Sequence, residues 1–137
     1  MALVHLIYCS AIQDFVTIPD LYRVLQQSIK NNGQRGITGI VMYHDGSVLQ
    51  ILEGEEESVS ALYEKICNDR RHHRIQTIIK EQIDHRNFTQ WSMGFINLSS
   101  RELSQLIADF GEIPPEDPVF DSLDEGKAKQ FLAAFHQ

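Results

Sequence analysis

The chain has 137 residues, the size of one domain, and its 42% apolar content is enough for a core. A formal charge of -7 argues against nucleic acid as a partner, because binding a phosphate backbone needs clustered Lys and Arg side chains. The stretch Ala2–Ile7 is interrupted by His5 and has no cationic residue before it, which favours a cytoplasmic protein without a secretory signal or membrane contact.

The first predicted element is a strand from Leu3 to Cys9. Its alternation places Val4, Leu6 and Tyr8 on one face and the other side chains on the opposite face. Because both sets are mostly apolar, we expect both faces of this strand to be covered.

A helix is predicted next, opened by Thr17 with Pro19 in its first turn and Asp20 three residues after Thr17. Its apolar positions recur at i, i+3, i+4 and i+7, and Asn32 falls on the extension of that stripe. The segment Asn31–Gly33 is typical of a helix end, so we expect the helix to stop there. The stripe consists of Leu21, Val24, Leu25 and Ser28.

A β-hairpin is predicted after this helix. The apolar run Ile37–Tyr43 meets the turn Asp45–Gly46 and returns as Ser47–Leu52. Gln50 lies in the middle of the return strand on the face of Val48, where a buried amide costs free energy unless partners satisfy it. The residue is either a glutamine at a sheet edge, bonded to backbone or water, or part of a site.

A second helix is predicted after Gly54, where Glu55–Glu57 place three carboxylates at the end that the helix dipole favours. The segment Asn68–Arg74 is predicted to end it, and its cationic side chains suit a helix C-terminus or an anionic ligand. Weak strands are predicted at Ile75–Ile83 and Trp91–Leu98. The apolar stripe of the helix consists of Val59, Leu62, Tyr63 and Ile66.

The order strand, helix, strand, strand, helix, strand, strand indicates an α+β fold. Each helix joins strands that run parallel through a right-handed crossover, so we expect a mixed sheet with two helices on one face. Ser99 and Ser122 each begin a further C-terminal helix, and Pro114–Pro118 separates the two. We expect these helices to cover the exposed sheet face, to form an oligomer contact, or both.

The cysteines, histidines and carboxylates predict no metal and no catalytic site. Cys9 and Cys67 have no ligand or redox spacing, so we expect them to behave as small apolar side chains. We place His72 and His73 at a helix end, where they point in different directions, with no Cys or His at ligand spacing. Glu53 is a candidate acid or base, but the sequence has no nucleophile elbow, phosphate loop or dinucleotide-binding turn. An enzyme is therefore not expected.

Uncharged polar side chains are directed at one place in this fold. Tyr8, Asn32 and Gln50 are expected to meet there, while Val24 and Ile66 face them from the two helices. Two adjacent helices with apolar walls form a flat slot. A planar heteroaromatic ring suits such a slot, because its faces favour apolar contact and its carbonyl and imide edge favours amides.

Short motifs in a fixed order strengthen this hypothesis. They are Leu6-Ile7-Tyr8-Cys9-Ser10, Asn31-Asn32, Gly36-Ile37-Thr38-Gly39, Gln50-Ile51-Leu52-Glu53-Gly54, Asp69-Arg70-Arg71-His72, and Phe88 with Trp91-Ser92-Met93. Together they resemble the BLUF family of blue-light sensors, over roughly residues 3 to 98. The resemblance implies a ferredoxin-like βαββαββ sheet with FAD bound non-covalently between two helices.

The resemblance also implies residue roles. Tyr8 matches the photoactive tyrosine, Gln50 the switching glutamine, and Asn32 the asparagine that holds the polar edge of the flavin. Trp91 and Met93 match a relay pair on strand five, and that strand is implied to lie beside Gln50. The implied FAD contacts are Tyr8, Val24, Ser28, Asn31, Asn32, Gln50, Ile66, Arg71 and His72.

These implications divide the chain into an FAD-binding domain, residues 1–98, and a C-terminal helical cap or output extension, residues 99–137. The expected protein is a stand-alone photoreceptor that signals through a separate effector protein or a homo-oligomer. One alternative is a cofactor-free ferredoxin-like regulatory or oligomerisation module in which Gln50 is structural. A flavin-dependent redox enzyme is less favoured, because no acid, base or redox cysteine is placed beside the slot.

Overall fold

The computed structural model describes residues 2–44, 46–88 and 94–97, and within them the chain forms five strands and two helices. The predicted order of elements is confirmed. The elements are β1 (Leu3–Ile12), α1 (Ile18–Arg35), β2 (Thr38–His44), β3 (Ser47–Glu55), α2 (Glu56–Cys67), β4 (His72–Gln82) and β5 (Gly94–Asn97).

The strands form one mixed sheet in the order β4-β1-β3-β2-β5. Three neighbouring pairs are antiparallel, and β2 pairs with β5 in parallel. Helix α1 therefore joins β1 to β2, which run parallel with β3 between them, and α2 joins β3 to β4, which run parallel with β1 between them. This confirms the predicted ferredoxin-like mixed sheet.

Both helices pack on one face of the sheet. The buried cluster on this face combines Leu6 and Leu52 of the central strands with Val59 of α2, and Leu25 of α1 packs against it. The predicted stripes of the two helices thus face the sheet, as amphipathic helices require. Burying this face supplies much of the driving force for folding.

The opposite face is also buried. Ile7 and Ile51 from the central strands and Ile40 and Met42 from β2 have no exposed surface. The prediction that both faces of the first strand are covered is confirmed. The predicted C-terminal helices lie outside the described residues.

Helix α1 is longer than predicted. Asn31, Asn32 and Gly33 lie inside it, and the helix ends at Arg35, followed by Gly36 in the left-handed conformation with φ 68°. The expected stop at Asn31–Gly33 is wrong, because an internal glycine costs only about 1 kcal/mol and packing overrides that preference. The predicted start is confirmed, since Thr17 and Asp20 form a reciprocal capping box.

Strand β4 begins at His72, so the predicted placement of His72 and His73 at a helix end is wrong. Helix α2 ends at Cys67, and His72 and His73 pair with Ile12 and Ala11 of β1. The longer β1 provides the hydrogen-bonding partner for these residues. Of the two register shifts between β1 and β4, the one between Cys9 and Ala11 lies opposite Arg74, which has a φ of 57°.

Strand β5 lies at the sheet edge beside β2. The expected position beside Gln50 is wrong for Gly94–Asn97, because Val41 of β2 pairs with Gln50 on one side and with Phe95 on the other. Trp91 and Met93, the predicted relay pair, lie outside the described residues.

Neither Cys9, which is buried, nor Cys67, which is exposed, forms a disulfide bond. Cys9 packs in the core as the expected small apolar side chain, whereas Cys67 lies in the last turn of α2 and faces solvent. In the part of the chain that the structure describes, neither helix is long and apolar enough to span a membrane.

Gly39 is required by the close approach of β2 and β3. A Cβ atom at this position would lie 1.9 Å from the carbonyl oxygen of Ile51, which is backbone and cannot rotate away. We predict that Gly39→Ala lowers the free energy of unfolding by about 3 kcal/mol or more, measured by denaturant titration. The control Gly46→Ala meets no atom within 4 Å but keeps a left-handed φ of 84°, so it should cost about 1 kcal/mol. Equal losses in the two variants would contradict this account.

Candidate functional site

A cavity of about 290 Å³ lies between the two helices above the central strands. Its walls come from both helices and its floor from the helix-facing side of β1, β3 and β2. Every residue that the sequence predicted as an FAD contact lines this one cavity. These residues are Tyr8, Val24, Ser28, Asn31, Asn32, Gln50, Ile66, Arg71 and His72.

The cavity walls are mainly apolar and the floor carries polar groups. Leu21 and Val24 of α1 face Leu62 and Ile66 of α2 across the opening. Side chains that the sequence analysis did not select add to the lining. Strand alternation or the helical stripe would have placed Ser10, Val41, Val48 and Leu62 on the cavity side. Neither pattern indicates Lys65 or Asp69.

Tyr8 and Gln50 are directly opposite each other in the β1–β3 register. The Tyr8 hydroxyl donates a hydrogen bond to Gln50 Oε1. Gln50 is therefore not at a sheet edge, because β3 has paired neighbours on both sides. The two strands bring a phenol and an amide together at the floor of the cavity.

Tyr8 is buried, with 3% of its surface exposed, and its ring packs against Tyr63 at a centroid distance of 5.2 Å. Burial, followed by the nearby ionisable groups of Tyr63, Cys67 and Asp69, raises the pKa of Tyr8 well above its ordinary value. The phenolate is therefore disfavoured here. Tyr8 enters any chemistry as a neutral phenol whose proton is directed at Gln50.

Asn32 is buried at the cavity because α1 continues past it. Asn32 is 1% exposed, and its backbone carbonyl oxygen accepts the backbone N–H of Ile37 at 2.9 Å. Asn31, one residue earlier, accepts a hydrogen bond from Gln27 Nε2 at 3.2 Å. The helix end thus holds a buried amide at the polar side of the cavity.

Ser28 lies one turn before Asn32 on α1. Its hydroxyl donates to the carbonyl oxygen of Val24 at 2.9 Å, within the helix. This bond keeps the hydroxyl close to the helix backbone and directs its acceptor lone pairs outward. Ser28 therefore contributes a small, mostly satisfied polar group to the cavity.

His72 ties three elements together at the cavity. Its Nε2 donates to the carbonyl oxygen of Ile66 at 2.6 Å, because a carbonyl can only accept. In the neutral ring, Nδ1 then accepts the Ser10 hydroxyl at 3.0 Å. Both ring nitrogens are occupied, so His72 contributes ring surface to the cavity and holds the end of α2 against β1.

Arg71 reaches the cavity as one half of an ion pair. Its Nε donates to Asp69 Oδ1 at 2.9 Å, and a further guanidinium nitrogen bonds Oδ2. These hydrogen bonds hold the pKa of the Asp69 carboxyl below its usual range. The arrangement fixes the guanidinium at the cavity rim, with donors on its remaining nitrogen.

The described residues contain no group of three or more His, Cys, Asp or Glu side chains that could hold a metal ion. The candidate acid Glu53 lies on the opposite face of β3 and does not line the cavity.

The sequence model of the BLUF family, described as sensors of blue-light using FAD, matches residues 3–94. This match spans most of the described fold and includes both helices and the strands that form the cavity floor. The chain belongs to the BLUF family, which confirms the resemblance and makes FAD its cofactor.

Relatives support the same assignment. Over 105 residues the chain is 30% identical to the blue light- and temperature-regulated antirepressor BluF of Escherichia coli K12, covering 77% of this chain and 26% of that protein. The ground-state structure of BlsA is 31% identical, with a TM-score of 0.83 over 96% of this chain and 85% of BlsA. A bacterial light-regulated adenylyl cyclase is 39% identical, with a TM-score of 0.72 over 78% of this chain and 32% of the cyclase. The chain therefore spans less than a third of the antirepressor and about a third of the cyclase.

The cavity residues fit the flavin of FAD. A flavin has two apolar faces and an edge of carbonyl and N–H groups, and Val24 and Ile66 provide apolar walls for such faces. The amides of Asn32 and Gln50 each offer both a donor and an acceptor, which matches a mixed edge.

Asn32 should matter for retention of FAD. Removing a buried hydrogen-bonding amide costs about 1–3 kcal/mol, so Asn32→Ala should weaken FAD binding by about 5- to 150-fold in a fluorescence titration. Gln34→Ala is the matched control, an exposed amide on the same helix outside the cavity. Unchanged FAD affinity in Asn32→Ala would show that Asn32 does not bind FAD.

Tyr8 should also make stability depend on alkaline pH. Its folded-state pKa is raised, so its contribution is fully present below the unfolded pKa of about 10 and is lost as pH rises above that value. Between pH 10 and 11 the parent should lose about 1 kcal/mol more unfolding free energy than Tyr8→Phe, measured by urea titration. Parallel pH profiles for the two proteins would contradict the buried neutral phenol.

Proposed function

We propose that this chain senses blue light through the hydrogen bond between Tyr8 and Gln50, and that it signals to another protein without catalysing a reaction. The observation that carries the proposal is the direct pairing of these two side chains at the floor of the cavity. Family membership supplies the cofactor and the stimulus, and the geometry supports the assignment of roles to residues.

When bound, FAD supplies absorption of blue light and an electron acceptor in its excited state. Tyr8 would supply the electron, and its proton would move toward Gln50 Oε1, the acceptor of its hydrogen bond. Losing the electron makes the phenol a far stronger acid, which removes the barrier that burial places on proton release alone. The electron and proton return to Tyr8, so no net reaction occurs.

Gln50 is the element that changes between the two states. In the dark its oxygen faces Tyr8 as an acceptor. When its amide rotates or tautomerises during the return, the arrangement of donor and acceptor around Gln50 changes although no atom is gained or lost. With FAD bound, a rearranged amide would offer the polar edge of the flavin a stronger hydrogen bond, which would lower the energy of the absorbing transition.

The cavity is better suited to a sensor than to an enzyme that turns over a substrate. Asp69 is held as an anion by Arg71, and both ring nitrogens of His72 are occupied by Ser10 and Ile66. These groups are satisfied within the protein, so they are poor candidates for transferring protons to a substrate. We propose that the protein is not an enzyme.

The output is proposed to be protein contact. The similar antirepressor and the similar cyclase both carry light regulation in their names, and the region shared with this chain is a minor part of each. That pattern supports a sensor module that acts on a separate effector protein or on a second copy of itself. We propose residues 99–137 as its output extension and residues 1–98 as its FAD-binding domain.

An absorption spectrum before and after blue light tests this function. The parent should show a reversible red shift, while Tyr8→Phe and Gln50→Leu should bind FAD and show no shift. Tyr63→Phe is the matched control, because its hydroxyl bonds Thr77 at 2.7 Å and its ring lies beside Tyr8. This control should keep the shift.

Two outcomes would overturn the assignment. A parent protein that binds no FAD after reconstitution would support the cofactor-free module. A normal red shift in either Tyr8→Phe or Gln50→Leu would show that the substituted residue is not part of the switch.

A further inference from the structure

Gln50 lies on β3, and residues 94–97 of β5 pair with β2 instead of with β3. The row of paired residues runs from Tyr8 to Gln50, then to Val41 and then to Phe95. Strand β2 therefore separates the switching residue from the edge strand. A second connection runs through the other face of β3.

Glu53 provides that connection. It lies three residues after Gln50 on β3, on the opposite face and about 10 Å along the strand. Its side chain is completely buried, and Oε1 accepts the backbone N–H of Phe88 at 2.7 Å and of Asn87 at 2.8 Å. Its Oε2 accepts Asn87 Nδ2 at 2.7 Å.

Arg86 completes the attachment from the neighbouring position. Its guanidinium donates to the carbonyl oxygen of Gly36 at 2.6 Å, to Thr38 Oγ1 at 2.8 Å and to the carbonyl oxygen of Glu53 at 3.0 Å. We call the Glu53 side chain and its bonds to Asn87 and Phe88 the Glu53 clamp. Arg86, the residue that precedes the clamp in the chain, is thereby attached to the start of β2.

The clamp is stiff for an energetic reason. A carboxylate without hydrogen bonds is costly in the interior, and each N–H donor from Asn87 and Phe88 offsets part of that cost. Movement of β3 relative to residues 86–88 would break these bonds. The lower-energy response to a displacement of β3 is for residues 86–88 to move with it.

We propose that Glu53 is a positioning residue that transmits the Gln50 rearrangement to β5 through residues 86–88. The inference rests on the proposed function, because it requires Gln50 to change state. Gln50 and Glu53 share one continuous strand, so a shift of its backbone reaches both faces at once. The clamp then carries the shift to the segment that precedes β5 in the chain.

Hydrogen exchange of the backbone amides of residues 94–97, dark and illuminated, tests the clamp alongside the flavin spectrum. In the FAD-bound parent, the exchange should change on illumination. Glu53→Gln replaces one acceptor oxygen by a donor that faces N–H groups, so it should keep the red shift and lose the light-dependent change in exchange. Glu55→Gln, an exposed position on the same strand face, should behave as the parent.

A second variant tests the clamp in case Glu53→Gln does not fold. Asn87→Ala removes the side-chain hydrogen bond to Oε2 but leaves both backbone donors to Glu53, so it should reduce the light-dependent exchange change and leave the red shift intact. If both variants keep the full light-dependent change in exchange at residues 94–97, the proposed role of the clamp is wrong. It is also wrong if exchange at these residues in the parent does not change on illumination. Absence of a red shift in the parent would instead overturn the proposed function.

Discussion

The bond between the Tyr8 hydroxyl and the Gln50 amide is the interaction on which the site depends. Both polar side chains lie on the helix-facing side of the sheet, which also carries the apolar Leu6 and Leu52, and each would be costly there alone. The β1–β3 register makes them partners. A slip of one residue would turn Gln50 to the other face, so the register that builds the core also builds the switch.

The cavity above this bond is created by the lengths and ends of the two helices. Because α1 runs to Arg35, Asn32 comes to lie at the cavity, and the left-handed Gly36 turns the chain into β2. His72 holds the end of α2 through the Ile66 carbonyl. Side chains at the site are therefore positioned by backbone hydrogen bonds and caps, which hold a site more firmly than a mobile loop would.

Strand β3 places polar side chains on both faces of the sheet. Gln50 points to the cavity, and Glu53 holds the segment before β5 from the other side. Period-two alternation allows one strand to carry a cavity residue and a structural attachment on opposite faces, three positions apart. Under the proposed function such a link is needed, because the output of the sensor would be a change of structure.

Local signals in the sequence determined the order of elements, the capping box at Thr17, the hairpin and the face on which Gln50 lies, because these depend on residues two to four positions apart. Strand alternation, the helical stripes and the family resemblance together predicted the nine side chains that line one cavity. The tertiary structure alone decided that α1 continues through Gly33, that β4 begins at His72 and that β5 lies beside β2. It also showed that Glu53, an acid or base candidate by residue type, is a structural acceptor. Each of these depends on partners distant in the chain, whose packing and hydrogen bonds outweigh local preferences of about 1 kcal/mol.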